Sequence, residues 1–156
     1  MNIRYRDVPN LIGPEGHVKM PLLQVVLRHQ QEARLVLTLV DSGSVECIFP
    51  ESLGRVLGID VPSGEPRNFY GLANQEANGF MHPLQLQVTG FDHWIEIRAA
   101  FVAGNIVPLL GQSGFFENYQ VVFERFSRSF QVYTKTDALI RNRIGQGHGR
   151  KRTRRR

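Results

Sequence analysis

The sequence predicts an all-β domain, mainly strands with one or two short helices, and three observations carry that prediction. Short apolar runs recur along the chain, separated by clusters of turn-forming residues. Two segments, Leu84 to Val88 and Trp94 to Ala99, alternate apolar and polar residues, the period of a half-covered strand. The helix signals are short, and the clearest runs from Pro50 to Leu57.

The elements follow in order. Leu22 to Leu27 and Leu35 to Val40 are apolar runs across the polar break His29-Gln30-Gln31-Glu32, which predicts a hairpin. The second run is apolar at nearly every position and predicts a strand covered on both faces. It ends in Asp41-Ser42-Gly43, residues that favour a turn. Glu46 to Phe49 predicts a short strand. Pro50 to Leu57 predicts a helix, with proline at its start and Gly58 as its stop. Asp60 to Pro66 is rich in Pro, Gly and Ser and predicts a loop. Asn68 to Met81 predicts a long hairpin with a soft polar tip at Ala73 to Asn78. Val107 to Gly111 is a second buried run ending in glycine. Gln112 to Asn118 predicts a short helix carrying Phe115 and Phe116. Gln120 to Phe123 and Ser129 to Tyr133 predict a closing hairpin, and Asp137 to Ile144 a weak helix.

The chain has 156 residues, enough for one domain plus tails and for a core without disulfides. Cys47 is the only cysteine, so no disulfide forms within the chain. No apolar run approaches the ~20 residues of a membrane span, and the first residues lack an apolar signal core. The expectation is a soluble cytoplasmic protein. The net charge of +5 is concentrated at one end. Arg150 to Arg156 holds six of the 19 basic residues; the remainder is 13 basic against 14 acidic. That tail can contact nucleic acid or an anionic surface. The rest of the chain has no basic stripe interleaved with aromatics.

A carboxylate placed directly after a buried strand is unusual packing and points to chemistry at Asp41. Hydrolysing a peptide without a metal or a covalent nucleophile requires an activated water. Two carboxylates that share one proton supply it. The ionised one takes a proton from water, and the protonated one donates to the substrate carbonyl. Gly43 allows a tight turn that brings an N–H toward the carboxylate, and the Ser42 hydroxyl can fix the loop.

The run Leu39-Val40-Asp41-Ser42-Gly43-Ser44 resembles the Asp-Thr/Ser-Gly motif of retropepsin-like aspartic proteases, which are single-domain and homodimeric. Leu109-Leu110-Gly111 resembles their second apolar-glycine element, and Asn68 to Met81 matches the position of their flap. The resemblance covers about residues 20 to 133. It implies a closed, β-barrel-like acid protease fold of a single lobe. Residues 1–19 would be a possible interface segment, and 134–156 an extension ending in the basic tail. It implies that Asp41 is the catalytic carboxylate, supported by Ser42, Gly43 and Ser44. Tyr70, Gly71, Leu72 and Gly79 would belong to a flap that closes over substrate. Gln112 stands where an Arg often follows the second glycine. Only one such Asp motif exists in the chain, so a homodimer would place two Asp41 side chains at a two-fold axis. The substrate would be a peptide or protein, with no cofactor.

Other residues read more plainly. His17, His29, His82, His93 and His148 show no metal-ligand spacing. Cys47 reads as a buried structural thiol, and Trp94 as core or interface. Ser113 lacks a nucleophile-elbow context, and Gly71 and Gly79 are too far apart for a phosphate loop. Two alternative functions stay open: a catalytically inactive dimerisation or peptide-binding module of the same fold, and a nucleic-acid-associated protein acting through Arg150 to Arg156.

Overall fold

The computed structural model describes residues 1–9, 16–70 and 76–141. The strands are β1 (Asn2–Arg4), β2 (Arg6–Pro9), β3 (His17–Met20), β4 (Leu22–His29), β5 (Glu32–Val40) and β6 (Cys47–Pro50). Helix α1 (Glu51–Val56) follows, then β7 (Glu65–Tyr70), β8 (Glu76–Val88), β9 (Ile95–Val102), β10 (Leu109–Leu110), β11 (Tyr119–Glu124) and β12 (Ser129–Thr134). Residues 135–141 form a second helical segment, α2. The chain is mostly β, as the sequence predicts. None of the described helices is long and apolar enough to cross a membrane.

Seven strands form one sheet in the order β4-β5-β10-β6-β9-β8-β7, and β4 also pairs with β8. That extra pairing, from Val25↔Val88 to Arg28↔Gln85, bends the sheet into a ring. Its interior is filled by side chains such as Val25, Leu27, Phe49, Leu86, Phe101 and Phe115. Each large apolar side chain fully buried here contributes roughly 1.5–3 kcal/mol. Outside the ring, β1, β12 and β11 make a three-stranded sheet, while β2 and β3 pair alone. Backbone bonds between Met1 and Val132 run in both directions and tie the chain start to β12.

The β4–β5 hairpin forms with Leu22 opposite Leu39 and His29 opposite Glu32, so its turn is only Gln30-Gln31. Burial of β5 differs from the expectation. Val36, Thr38 and Val40 point inward, whereas Leu35 is 62% and Leu37 38% exposed. The ring has one inner face, and this strand's outer face meets solvent despite its apolar composition. The strand's polar Thr38 is fully buried because its hydroxyl donates to the Leu23 carbonyl at 2.8 Å.

Other elements shift in detail. Pro50 caps α1 with extended backbone, and Gly58 takes a left-handed φ of 71° just beyond it. A 3-10 turn at Val61–Ser63 occupies part of the expected loop, and β7 begins at Glu65. Glu76 to Asn78, read as flap tip, already belong to β8. Leu84 to Val88 continues β8 without a break, through Pro83. Pro83 is tolerated because β7 pairs up to Met81 and β4 begins at Gln85, leaving its missing N–H in a gap. Val107 is 58% exposed, so the second buried run shrinks to Leu109–Leu110. Residues 112–116 form a kinked turn, because Ser113 is extended and Gly114 has a φ of 89°.

Candidate active site

Strand β5 delivers Asp41 to the end of the ring. The end of that strand is held on both sides: the Val40 N–H donates to Pro21 O at 3.0 Å, and the Asp41 N–H to Leu110 O at 3.1 Å. The second bond belongs to a parallel pairing of Leu39 with Leu109 and Val40 with Leu110. Two apolar runs far apart in sequence thus lie side by side. The parallel arrangement leaves both chains turning at the same end, one at Asp41 and the other at Gly111.

The Asp41 loop folds on itself first. The Gly43 N–H donates to Asp41 Oδ1 at 2.9 Å, and the Ser44 N–H to the Asp41 carbonyl at 3.2 Å. The Ser44 hydroxyl donates to Glu46 O at 2.8 Å. A Cβ at Gly43 would sit 3.3 Å from Asp41 Oδ1, so glycine leaves the carboxylate room. The Asp41 side is half-buried, and Ser42 and Gly43 are exposed.

The second element then braces this loop. The Gln112 N–H donates to Ser44 O at 2.9 Å and the Ser113 N–H to Val45 O at 2.7 Å. The Gln112 side-chain amide donates to Ser42 O at 2.6 Å. Gly111 is packed so tightly that a Cβ would stand 2.2 Å from Glu46 O. Below it, the Gly111 N–H donates to Cys47 Sγ at 3.4 Å, and the Cys47 thiol donates to Ser113 O at 3.3 Å. Burial pushes the Cys47 thiol up to about 11, which keeps it protonated and unreactive near neutral pH. An ion pair at 3.7 Å between Glu46 and Arg67 links the loop to β7.

The structure therefore brings Asp41, Ser42, Gly43 and Ser44 together with Leu109, Leu110 and Gly111. In the hairpin, Tyr70 is 71% exposed. Gly79 lies where the hairpin crosses β9 closely, and a Cβ there would meet Phe101 O at 2.9 Å. Gly71 and Leu72 lie outside the described residues, as does the tail from Arg150 to Arg156. Trp94 is half-buried under the Arg28 guanidinium, 4.0 Å from the ring centre.

Sequence reasoning missed two contributors. Cys47 fastens Gly111 to Ser113, and no local pattern signals that contact. Arg67 reaches Glu46 across the sheet, and nothing in the spacing of the two residues predicts it. Gln112 stood out in the sequence, although its contact with Ser42 O did not.

Chemically, the site presents one carboxylate on a hydrogen-bonded loop, with an N–H aimed at one of its oxygens. A hydrogen bond of this kind orients the group.

No family model matches the chain, and no curated protein matches it. Solved structures do. A retropepsin-like aspartic protease from Rickettsia conorii superposes with a TM-score of 0.57 at 14% identity, over 85% of this chain and 97% of that one. The EIAV protease complexed with the inhibitor HBY-793 aligns with a TM-score of 0.47 at 18% identity, over 60% of this chain and 83% of that one. With the first of these matched over nearly its whole length, and with the Asp41 and Gly111 elements paired as described, the chain has the retropepsin-like aspartic protease fold.

Proposed function

We propose that this chain is an aspartic endopeptidase whose active site forms between two copies, each supplying one Asp41. The observation that carries the reading is the braced Asp41 loop. Its carboxylate sits at the end of a buried strand and takes the Gly43 N–H at 2.9 Å, with the Leu110 carbonyl holding its backbone. A surface turn needs none of that support. The fold neighbour named as a retropepsin-like aspartic protease supports the same reading.

In the reaction, the two carboxylates share one proton. The ionised member removes a proton from a water molecule, whose oxygen attacks the scissile carbonyl carbon. The protonated member gives its proton to the carbonyl oxygen, forming a neutral tetrahedral diol. A proton then passes to the amide nitrogen, the C–N bond breaks, and acid and amine products leave. Ser42, next to Asp41 and exposed, would fasten the two loops across the axis. The β7–β8 hairpin would cover the substrate backbone. The three-stranded sheet β1-β12-β11 and its flanking segments would provide the subunit interface.

Substitution Asp41→Asn tests the reading. Cleavage of an unbiased peptide library by the parent should fall at least about a thousandfold in the variant. Specific activity should also drop on dilution, because the site exists only in the dimer. Cleavage that persists in a clean Asp41→Asn preparation overturns the proposal.

A further inference from the structure

We propose that Phe126 is an anchor that each copy inserts into an apolar groove on the other, alongside β11. The inference rests on the dimer reading above and deepens it. Two features that the folded chain leaves unexplained fit one another.

The first is Phe126 itself, which is 103% exposed. It sits in the turn between β11 and β12, yet that turn is held firmly. The Arg128 N–H donates to Arg125 O at 3.2 Å, the Ser127 hydroxyl to Glu124 O at 3.2 Å, and the Tyr5 N–H to Arg128 O at 2.9 Å. The Arg125 guanidinium lies 5.5 Å from the Tyr5 ring centre. A fixed turn that presents a bare phenylalanine loses little entropy when that side chain is buried by a partner.

The second is a groove of about 460 Å³ where α2 meets the start of β11. Its walls are Phe116, Tyr119, Ala138 and Leu139, with Gln120, Glu117 and Lys135 at its rim. Leu139 is 61% exposed. Gln120 Oε1 is the one buried side-chain polar atom without a hydrogen-bond partner among the described residues. An unpaired buried acceptor is costly and calls for a donor. Rotation of this carboxamide into the groove would let a backbone N–H of an incoming turn supply one.

Register connects the two. Strand β11 pairs with β12 on one edge, and no described strand occupies the other. A two-fold axis that pairs β11 antiparallel with its copy, centred between Val121 and Val122, sets Phe126 opposite Glu117 and Arg125 opposite Asn118. A slip of one residue still leaves Phe126 facing the groove-lining segment. The same placement brings Arg125 and Arg128, which form no ion pair among the described residues, toward exposed Glu117. The open edge of β11 and the register that follows from it therefore point to a second copy as the occupant.

Sedimentation of the full chain tests this with Phe126→Ala, Leu139→Ala and the double variant. Phe126→Ala should raise the dimer dissociation constant about a hundredfold or more, since each dimer loses two buried rings. Its monomer should melt like the parent's, because Phe126 is fully exposed among the described residues. The double variant should fall well short of the product of the two single effects, the mark of contacting residues. An unchanged dissociation constant for Phe126→Ala in a dimer that still cleaves peptide removes the anchor and leaves the protease reading intact. Purely multiplicative effects also remove the anchor. A parent chain that stays monomeric at all concentrations removes both.

Discussion

Substitution Gly111→Ala should be among the most damaging single methyl additions in this protein. The added Cβ would stand 2.2 Å from the Glu46 carbonyl oxygen, 2.5 Å from its carbon and 2.9 Å from Ser44 O, where ordinary contact begins at 3.4 Å. All three atoms are backbone, so no side chain can swing away. The two loops must separate by about an ångström. That displacement strains the packing by roughly 1–3 kcal/mol. It also stretches the bonds from the Gln112 N–H to Ser44 O and from the Ser113 N–H to Val45 O. Each is worth about 1 kcal/mol net. The combined loss is about 3–5 kcal/mol, against a total stability on the order of 5–15 kcal/mol for a domain. Urea unfolding at one fixed protein concentration reads it as a midpoint lower by about 2 M with an unchanged slope. Gly16→Ala is the control, because no described atom lies within 4 Å of its Cβ position. If Gly111→Ala unfolds within about 1 kcal/mol of the parent, the tight union of the two loops is wrong.

Two further outcomes are expected. Gln112→Ala removes the amide that donates to Ser42 O at 2.6 Å but keeps the backbone bond to Ser44 O. Stability should change by less than about 1 kcal/mol, while kcat falls about tenfold with KM nearly constant, because the loop beside Asp41 loosens; a change confined to KM contradicts that role. Cys47 makes stability sensitive to alkali. Burial raises its thiol from 9.0 to about 11. The folded chain therefore keeps a proton that the unfolded chain releases, so this contribution is intact below pH 9.0 and lost as pH rises toward about 11. The loss is roughly 2–3 kcal/mol. Cys47→Ser should flatten the decline between those pH values in urea titrations. Tyr119, whose phenol burial pushes up to about 12, adds a loss of its own in both proteins above pH 10.0.

Much of the fold was legible because strand periodicity and turn chemistry are local. The β4–β5 hairpin, the β11–β12 hairpin and the short helix after Pro50 all follow from such patterns. Leu35, Leu37 and Val107 misled for a physical reason. An apolar run records composition, whereas exposure depends on which face of the ring a side chain meets, and that is decided by distant strands. The kink at Ser113 and Gly114 was hidden because Phe115 and Phe116 supply apolar spacing that also suits a helix. At the site, the Asp41 motif and Leu109-Leu110-Gly111 were readable as two separate signals. Their physical union through Leu110 O, Gln112 and Cys47 was not, since hydrogen bonds across such a separation leave no trace in local sequence. Arg67 and Glu46 illustrate the same limit.

The parallel pairing of β5 with β10 has a consequence for biosynthesis. The braces on the Asp41 loop come from a segment 70 residues further along the chain. At ribosomal speeds of about 5–20 residues per second, Asp41 emerges several seconds before Gln112 exists. During that interval the loop has only its own internal bonds. A nascent chain is therefore unable to assemble the braced loop until most of the domain has been made, and the order of synthesis itself delays the fixing of the carboxylate in place.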